Sequence, residues 1–471
     1  MFRHSLVRDA ASATLTDADR MAAHQLAADW LERVGQSDPL VMTDHLEKGG
    51  ESERAIPWLL RAAAAAYDGG SAIAAMNLAE RGVVHATGTE RGVLRAIQGV
   101  SAGAQMDLEK ALPALREAMT LVPKGGRYWF ISACNLSFFG ALAGSPSATA
   151  ELADAIADLP SLVTGGGLYA WSAARVVLAR TYGGQPDQAT AFLQQLERAA
   201  ATLTEKEPSF MGWLALARVH FSFYSRQEDY AAVVRNARMA VAIFEETRDC
   251  LAVVSARLWE ACAAALLGRN DQLREATERG LAFAQQSGHP LMGRHLEAIR
   301  WVAVAIPGNR AQSLTPLMRL ARDPLPSLAV TAALILVRAL LLAGDEAGAE
   351  TVARDALERA RGTVPLEAGA HAALARVLLV RGRPHDSLAA ADRAYALPVI
   401  HPYGFDELGL TRAEALQVVG RIEDARVAVR VARDRVLRIA ATLDPEDRAS
   451  YLYNVDANVR TLALAKEWLG E

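Results

Sequence analysis

Apolar helical runs that stop at a glycine recur along the chain. Leu340-Leu341-Leu342-Ala343 ends at Gly344, a short polar turn follows, and a second helical stretch carries Ala349 five residues past the glycine. The phrase returns at Leu378-Leu379-Val380-Arg381-Gly382, and at Val418-Val419-Gly420 with Ala425 at the same offset. Projected backwards, comparable turns fall at Gly69, Gly103, Gly144, Gly184, Arg226, Gly268 and Gly308. From Gly69 to Gly420 the steps are 34, 41, 40, 42, 42, 40, 36, 38 and 38 residues. The glycine lets a helix end in a left-handed residue, so that the chain can reverse without a Cβ penalty. Position +5 carries Ala189, Ala231, Ala349 and Ala425, with Leu273, Ser313 and Ser387 in other copies. A small residue there allows two helix backbones to approach closely.

A period of roughly 34–47 residues built from two helices marks tetratricopeptide-like or HEAT-like arrays. The expected fold is therefore an all-α solenoid of about ten tetratricopeptide-like helix pairs, one per turn of the ladder. Its expected parts are a lead-in helical segment at 1–48, the array at 49–440 and capping helices at 441–471. Such an array grows linearly, so the length of 471 residues need not mean separate globular domains. Each unit touches only its neighbours in that scheme, which predicts a long array. In the lead-in, Met21 to Val34 reads as an amphipathic helix with Leu26, Trp30 and Leu31 on one side. The least regular section runs from Gly69 to Gly144, and Leu159 to Gly167 reads as a linker.

Composition supports helices: hydrophobic residues make up 51%, much of it alanine, and aromatics only 6%. A net charge of −4 with interspersed signs offers no basic stripe, so nucleic acid is not an expected partner. Cys134, Cys250 and Cys262 show no CxxC spacing and read as buried reduced thiols, which fits a cytoplasmic protein. The N-terminal residues lack the apolar core of a signal peptide. The longest apolar run, Leu328 to Ala343, contains Arg338 and is shorter than the roughly 20 residues of a membrane span, so no membrane is expected. Gly99-Val100-Ser101-Ala102-Gly103 matches GxSxG, but a helical run precedes it where a nucleophile elbow needs a strand. There is no GxxxxGK[ST] to cradle a phosphate, and no HExxH or paired Cys/His spacing among the ten histidines. The expectation is no catalytic residue, no cofactor and no metal.

A binding surface is easier to place. In a helix pair of this kind the first helix lines the concave groove, and one groove-facing position lies six residues before the turn. That slot holds Leu178, His220, Cys262, Val302, Arg338, Arg376 and Glu414 in successive units. Arg338 and Arg376 in adjacent units suit a clamp on a carboxylate-bearing peptide, through charge-assisted bidentate bonds. The competing reading pairs Arg376 with Glu414. An alternative function places a small molecule at the aromatic stretch that includes Tyr128, Trp129, Phe130, Phe138 and Phe139. Such clusters, like Trp213, Phe221, Phe223 and Tyr224, more often fill a core.

Both ends carry a resemblance. Phe2, His4, Leu6 and Arg8, then Arg20 and His24, then His45 and Gly49 match a pattern Phe-x-His-x-Leu-x-Arg, Arg-x-x-x-His, His-x-x-x-Gly. This resembles the junction between the ATPase module and the tetratricopeptide array of bacterial AAA/STAND-type signalling ATPases, often fused to serine/threonine kinase or nucleotide-cyclase domains. The C-terminal "RDRVLRIAATLDPEDRASYLYNVDANVRTLALAKEWLGE" resembles their closing segment, with Val455-Asp456-Ala457-Asn458 where relatives tend to have Val-Pro-Glu-Asn. The resemblance implies a non-catalytic sensor or regulatory arm that binds a protein or peptide, with ATPase or kinase chemistry in an upstream module outside these residues. It also implies structural roles for His4, His24 and His45.

Overall fold

A computed structural model describes residues 14–142, 155–156, 166–203, 207–286, 290–304 and 310–470. Every regular element among them is a helix, and no strand occurs. The helices run in pairs, as Pro326–Ala343 with Glu346–Arg359, Val364–Val380 with Pro384–Ala396, and Leu408–Val418 with Ile422–Thr442. The predicted turns at Gly184, Gly268, Gly344, Gly382 and Gly420 all adopt left-handed backbone.

Gly344 shows how the turn closes. Its N–H donates to Leu341 O at 3.1 Å, and the Asp345 N–H donates to Leu340 O at 3.0 Å. Both of these carbonyls would otherwise be orphaned at the helix end. The Asp345 carboxylate then accepts from Gly348 N at 2.8 Å and caps the next helix. The dipeptide Gly344-Asp345 thus stops one helix and starts another.

Three turns differ from the predicted ladder. Gly69 has ordinary backbone and its neighbour Gly70 is the left-handed residue. Gly103 lies inside the helix Gly88–Ala104, and Met106 makes the turn with φ 71°. At Arg226 the turn is longer, and Glu228 takes the left-handed position with φ 55°. Gly144 and Gly308 lie outside the described residues. Counted from the observed left-handed residues, +5 becomes regular: Ala55, Ala75, Ala111, Ala189, Val233, Leu273, Ala349, Ser387 and Ala425 are all fully buried. The constraint on that position is complete burial against the preceding helix, and small size is one way to meet it.

By internal contacts the chain forms two compact units, 1–135 and 136–471, with the division inside the helix Arg127–Leu142. In the first, a core of Ala28, Met42, Leu46, Ala55, Ile56 and Leu59 joins the lead-in helices to the array. The residues that carry the N-terminal resemblance meet there: His24 and His45 approach Nδ1 to Nδ1 at 3.0 Å, and Gln25 donates to Gly49 O at 2.7 Å. Phe2, His4, Leu6 and Arg8 lie outside the described residues. Burial first, and then the neighbouring His45, lower the pKa of His24. Leu26 and Trp30 point away from this core and are exposed, so the buried side of the helix Asp17–Arg33 is centred on Ala28.

The second unit closes on itself, unlike the open array expected from nearest-neighbour stacking. Ile400 N donates to Tyr224 O at 3.0 Å, and Arg226 Nε donates to Leu397 O at 2.9 Å. A buried ionic cluster seals the same seam. Arg435 donates to Glu228 at 2.6 Å and to Asp406 at 2.7 Å, Arg438 donates to Glu228 at 2.8 Å, and the Tyr230 hydroxyl donates to Asp406 at 2.9 Å. Glu228 is thus held in its left-handed conformation by two guanidinium groups from a helix some 200 residues later. The helix Asp456–Leu469 covers the last pair through Ala465, Trp468 and Leu469.

Gly268 reports on this seam. A Cβ there would lie 2.9 Å from Asn454 Cβ, whereas one on Gly344 would meet nothing within 4 Å. Both glycines are left-handed, so Gly→Ala strains each by about 1–2 kcal/mol. Gly268→Ala is expected to lose about 1–3 kcal/mol more, because it also overpacks the seam. Urea midpoints of the two variants check this, and equal losses would contradict the closed arrangement.

Candidate functional site

The slot six residues before each turn faces the interior of the second unit. Leu178, His220 and Cys262 line a cavity of about 70 Å³, while Val302, Arg338 and Arg376 line an adjoining groove of about 360 Å³. Tyr403 belongs to both walls. His220 keeps the spacing because Arg226, two residues past the end of the helix Pro208–Tyr224, stands where other units place their glycine.

The groove mixes charges. Arg338 donates to Asp456 at 2.9 Å, and Arg460 donates to Glu414 at 2.6 Å. Arg376 is bound by Glu414 and lies 3.3 Å from Glu407. Burial works against the Arg376 charge, but Glu407 and Glu414 outweigh it and leave its pKa raised. Both arginines of the predicted clamp line this groove, and they differ in burial. Arg376 is mostly buried and committed to carboxylates of its own chain. Arg338 and Arg460 sit at the accessible rim, with 39% and 57% of their side chains exposed. The Arg338–Asp456 pair is exposed at both ends and contributes only about 0–1 kcal/mol, so an incoming carboxylate can displace Asp456 at small cost, whereas the Glu414 that Arg460 meets is mostly buried. Arg460 was missed because it lies on the capping helix, out of register with the repeat.

The cavity is aromatic. Phe138, Tyr182, Phe223, Tyr224, Trp259 and Tyr403 contribute to its wall. The Tyr182 and Tyr224 hydroxyls are 3.0 Å apart, and Trp259 meets Phe223 edge-on at 5.1 Å between ring centroids. Of the aromatic stretch singled out in the sequence, only Phe138 reaches this wall. Trp129, Phe130 and Phe139 are buried, and Tyr128 packs on the core of the first unit. The Arg175 guanidinium lies 4.1 Å from the Phe138 ring centroid.

Three imidazoles in the wall are neutral at neutral pH. Burial, aided by the charge of Arg175, lowers His220 to about 3, and burial lowers His401 to about 4. His295 is lowered too, mainly by burial. Burial likewise pushes the Cys262 thiol up to about 12, so it stays protonated.

Ser101 sits inside the helix Gly88–Ala104 and is buried, far from the strained strand-to-helix turn a nucleophile elbow requires. Among the described residues no group of three or more His, Cys, Asp or Glu side chains is placed to hold a metal. One described helix, Pro326–Ala343, is long and apolar enough to cross a membrane, and it packs most of its surface inside the repeat stack.

No family model matches the sequence, and no curated protein matches it. Solved structures do match. A Rap protein complexed with competence and sporulation factor aligns over 72% of this chain and 99% of its own, at 12% identity and TM-score 0.49. The STAND protein with a tetratricopeptide repeat sensor from Pyrococcus horikoshii aligns over 84% of this chain and 65% of its own, at 11% identity and TM-score 0.43. In the APC/C hetero-tetramer Cut9-Hcn1 the figures are 96%, 95%, 12% and 0.42. At 11–12% identity and TM-scores below 0.5 these likenesses carry no argument; the all-α helical-repeat fold rests on the paired helices of this chain itself.

Proposed function

We propose that this chain is a non-catalytic interaction scaffold whose interior groove takes a carboxylate-bearing peptide segment of a protein partner. The observation that carries the reading is the groove of about 360 Å³ at the slot positions, with two cations, Arg338 and Arg460, at its accessible rim. Apolar side chains of Leu334, Leu341, Ala372 and Leu410 floor the same groove and offer surface to the rest of the segment. The resemblance at both ends supports a finer role, as the sensor or regulatory arm of a bacterial signalling ATPase or kinase. In that role 1–48 leads in from the ATPase module, 49–440 is the array and 441–471 caps it. Reduced buried thiols at Cys134 and Cys262 support a cytoplasmic setting, and the interspersed charge supports a protein partner over nucleic acid.

A panel of random labelled hexapeptides, each made with a free and an amidated C-terminus, tests the groove by fluorescence anisotropy. Free-acid forms are expected to bind more tightly than amides. Arg338→Ala with Arg460→Ala is expected to weaken them by about 10-fold or more, the scale of one charge-assisted bond. Equal affinity for both forms, or for both proteins, would contradict the assignment.

A further inference from the structure

We propose that the aromatic cavity is a second binding site, for a small uncharged aromatic molecule bearing one O–H or N–H donor. The inference is independent of the peptide groove and rests on different side chains.

The donor follows from His220. This residue is 1% exposed, and its Nδ1 lies 3.4 Å from the Ala174 carbonyl oxygen. A carbonyl only accepts, so Nδ1 carries the proton, and in the neutral ring Nε2 is left as a bare acceptor. Nε2 is buried and has no hydrogen-bond partner among the described residues. A buried acceptor without a partner costs about 1–3 kcal/mol, which a ligand donor returns. The buried His401 adds a second ring nitrogen, Nδ1, that has no partner among the described residues. His295 has already spent its ring, with Nδ1 donating to Leu291 O at 3.1 Å and Nε2 facing Ser327 Oγ at 3.5 Å.

Size and charge narrow the ligand further. One water needs about 10–15 Å³ on the scale on which this cavity measures about 70 Å³, which limits the ligand to no more than a single small ring. Phe138, Phe223 and Trp259 present faces and edges for that ring. Among the described residues no carboxylate lines the cavity to attract a cation, and the cation they place in the wall, Arg175, lies on the Phe138 ring.

Phenol, toluene and benzoate are the probes, titrated against the full chain by thermal shift and by tryptophan fluorescence, which Trp259 in the wall should report. Phenol is expected to bind saturably in the millimolar range. Toluene, of the same size without the donor, should bind about 5-fold or more weakly, the loss of one hydrogen bond. His220→Phe is expected to abolish the preference for phenol. Thr331→Leu, which fills the cavity from another helix, should abolish binding of both and keeps the test open if the first variant does not fold. Arg338→Ala with Arg460→Ala should leave phenol binding unchanged. The proposal is overturned by no saturable binding, by equal phenol and toluene affinity, by tighter binding of benzoate, or by phenol binding that survives Thr331→Leu.

Discussion

Replacing Arg435 by methionine is expected to destabilise the second unit by about 3–5 kcal/mol, the usual loss when one partner is removed from a buried ion pair. Arg435 is the hub of the seam. It donates to Glu228 and Asp406, and a longer contact of 3.3 Å reaches the Tyr230 hydroxyl. Without it two carboxylates stay buried with less countercharge, and Glu228 keeps a left-handed backbone with one guanidinium fewer to hold it. Burial already raises the Asp406 pKa even though Arg435 lowers it. Adding Glu228→Gln and Asp406→Asn should recover most of the loss, because the uncompensated charge goes with them. Arg426→Met is the control: its pair with Glu423 is exposed and is expected to matter by less than about 0.5 kcal/mol. Urea unfolding at neutral pH measures all three, and equal losses for Arg435→Met and Arg426→Met would contradict a stabilising role for the buried ionic cluster at the seam.

Acid should weaken the same unit for a different reason. His220 and His401 have folded pKa values of about 3 and about 4, below the 6.5 of an exposed imidazole. The unfolded chain therefore binds protons that the folded chain refuses. Stability is complete above pH 6.5 and falls as the pH drops toward the folded values. At pH 5 each of the two histidines costs about 2 kcal/mol, 1.5 units at 1.36 kcal/mol per unit. Paired carboxylates contribute their own loss only at lower pH. Unfolding free energies from urea titrations at pH 7.5 and pH 5.0 are expected to differ by about 4 kcal/mol on account of these two rings in the native chain, a difference that His220→Phe with His401→Phe removes. A pH dependence unchanged in the double variant would mean that these rings are not buried as described.

Much of the fold was legible because the signal is local. Gly344-Asp345 specifies a stop and a start within two residues, and the same hydrogen bonds recur wherever glycine stands in the turn. The slot six residues before the turn was legible too, since it depends only on the first helix. What escaped is long-range. The turn at Arg226 lacks glycine, and its left-handed Glu228 is explained only by Arg435 and Arg438, which no local pattern connects to it. The closed seam pairs residues 171 to 211 positions apart, beyond the reach of a period near 40. Arg376 looked available in the sequence and is committed to Glu414, the competing reading, because both occupy the same slot in adjacent units. For the cavity one signal was present: Tyr182 and Tyr224 stand 42 residues apart, each two before its turn position, and their hydroxyls meet. His401 and Tyr403 come from a loop between helices and carried no register from which to place them.

Photo-crosslinking tests the central claim, that a partner segment lies in the interior groove. A benzophenone amino acid is placed at Leu342, which lines the groove, and in a second protein at Val427, which is exposed on the second helix of its pair and lines neither cavity. With the tightest peptide of the anisotropy panel bound, the account predicts a crosslink from position 342 and none from 427. A crosslink from 427 alone would contradict it.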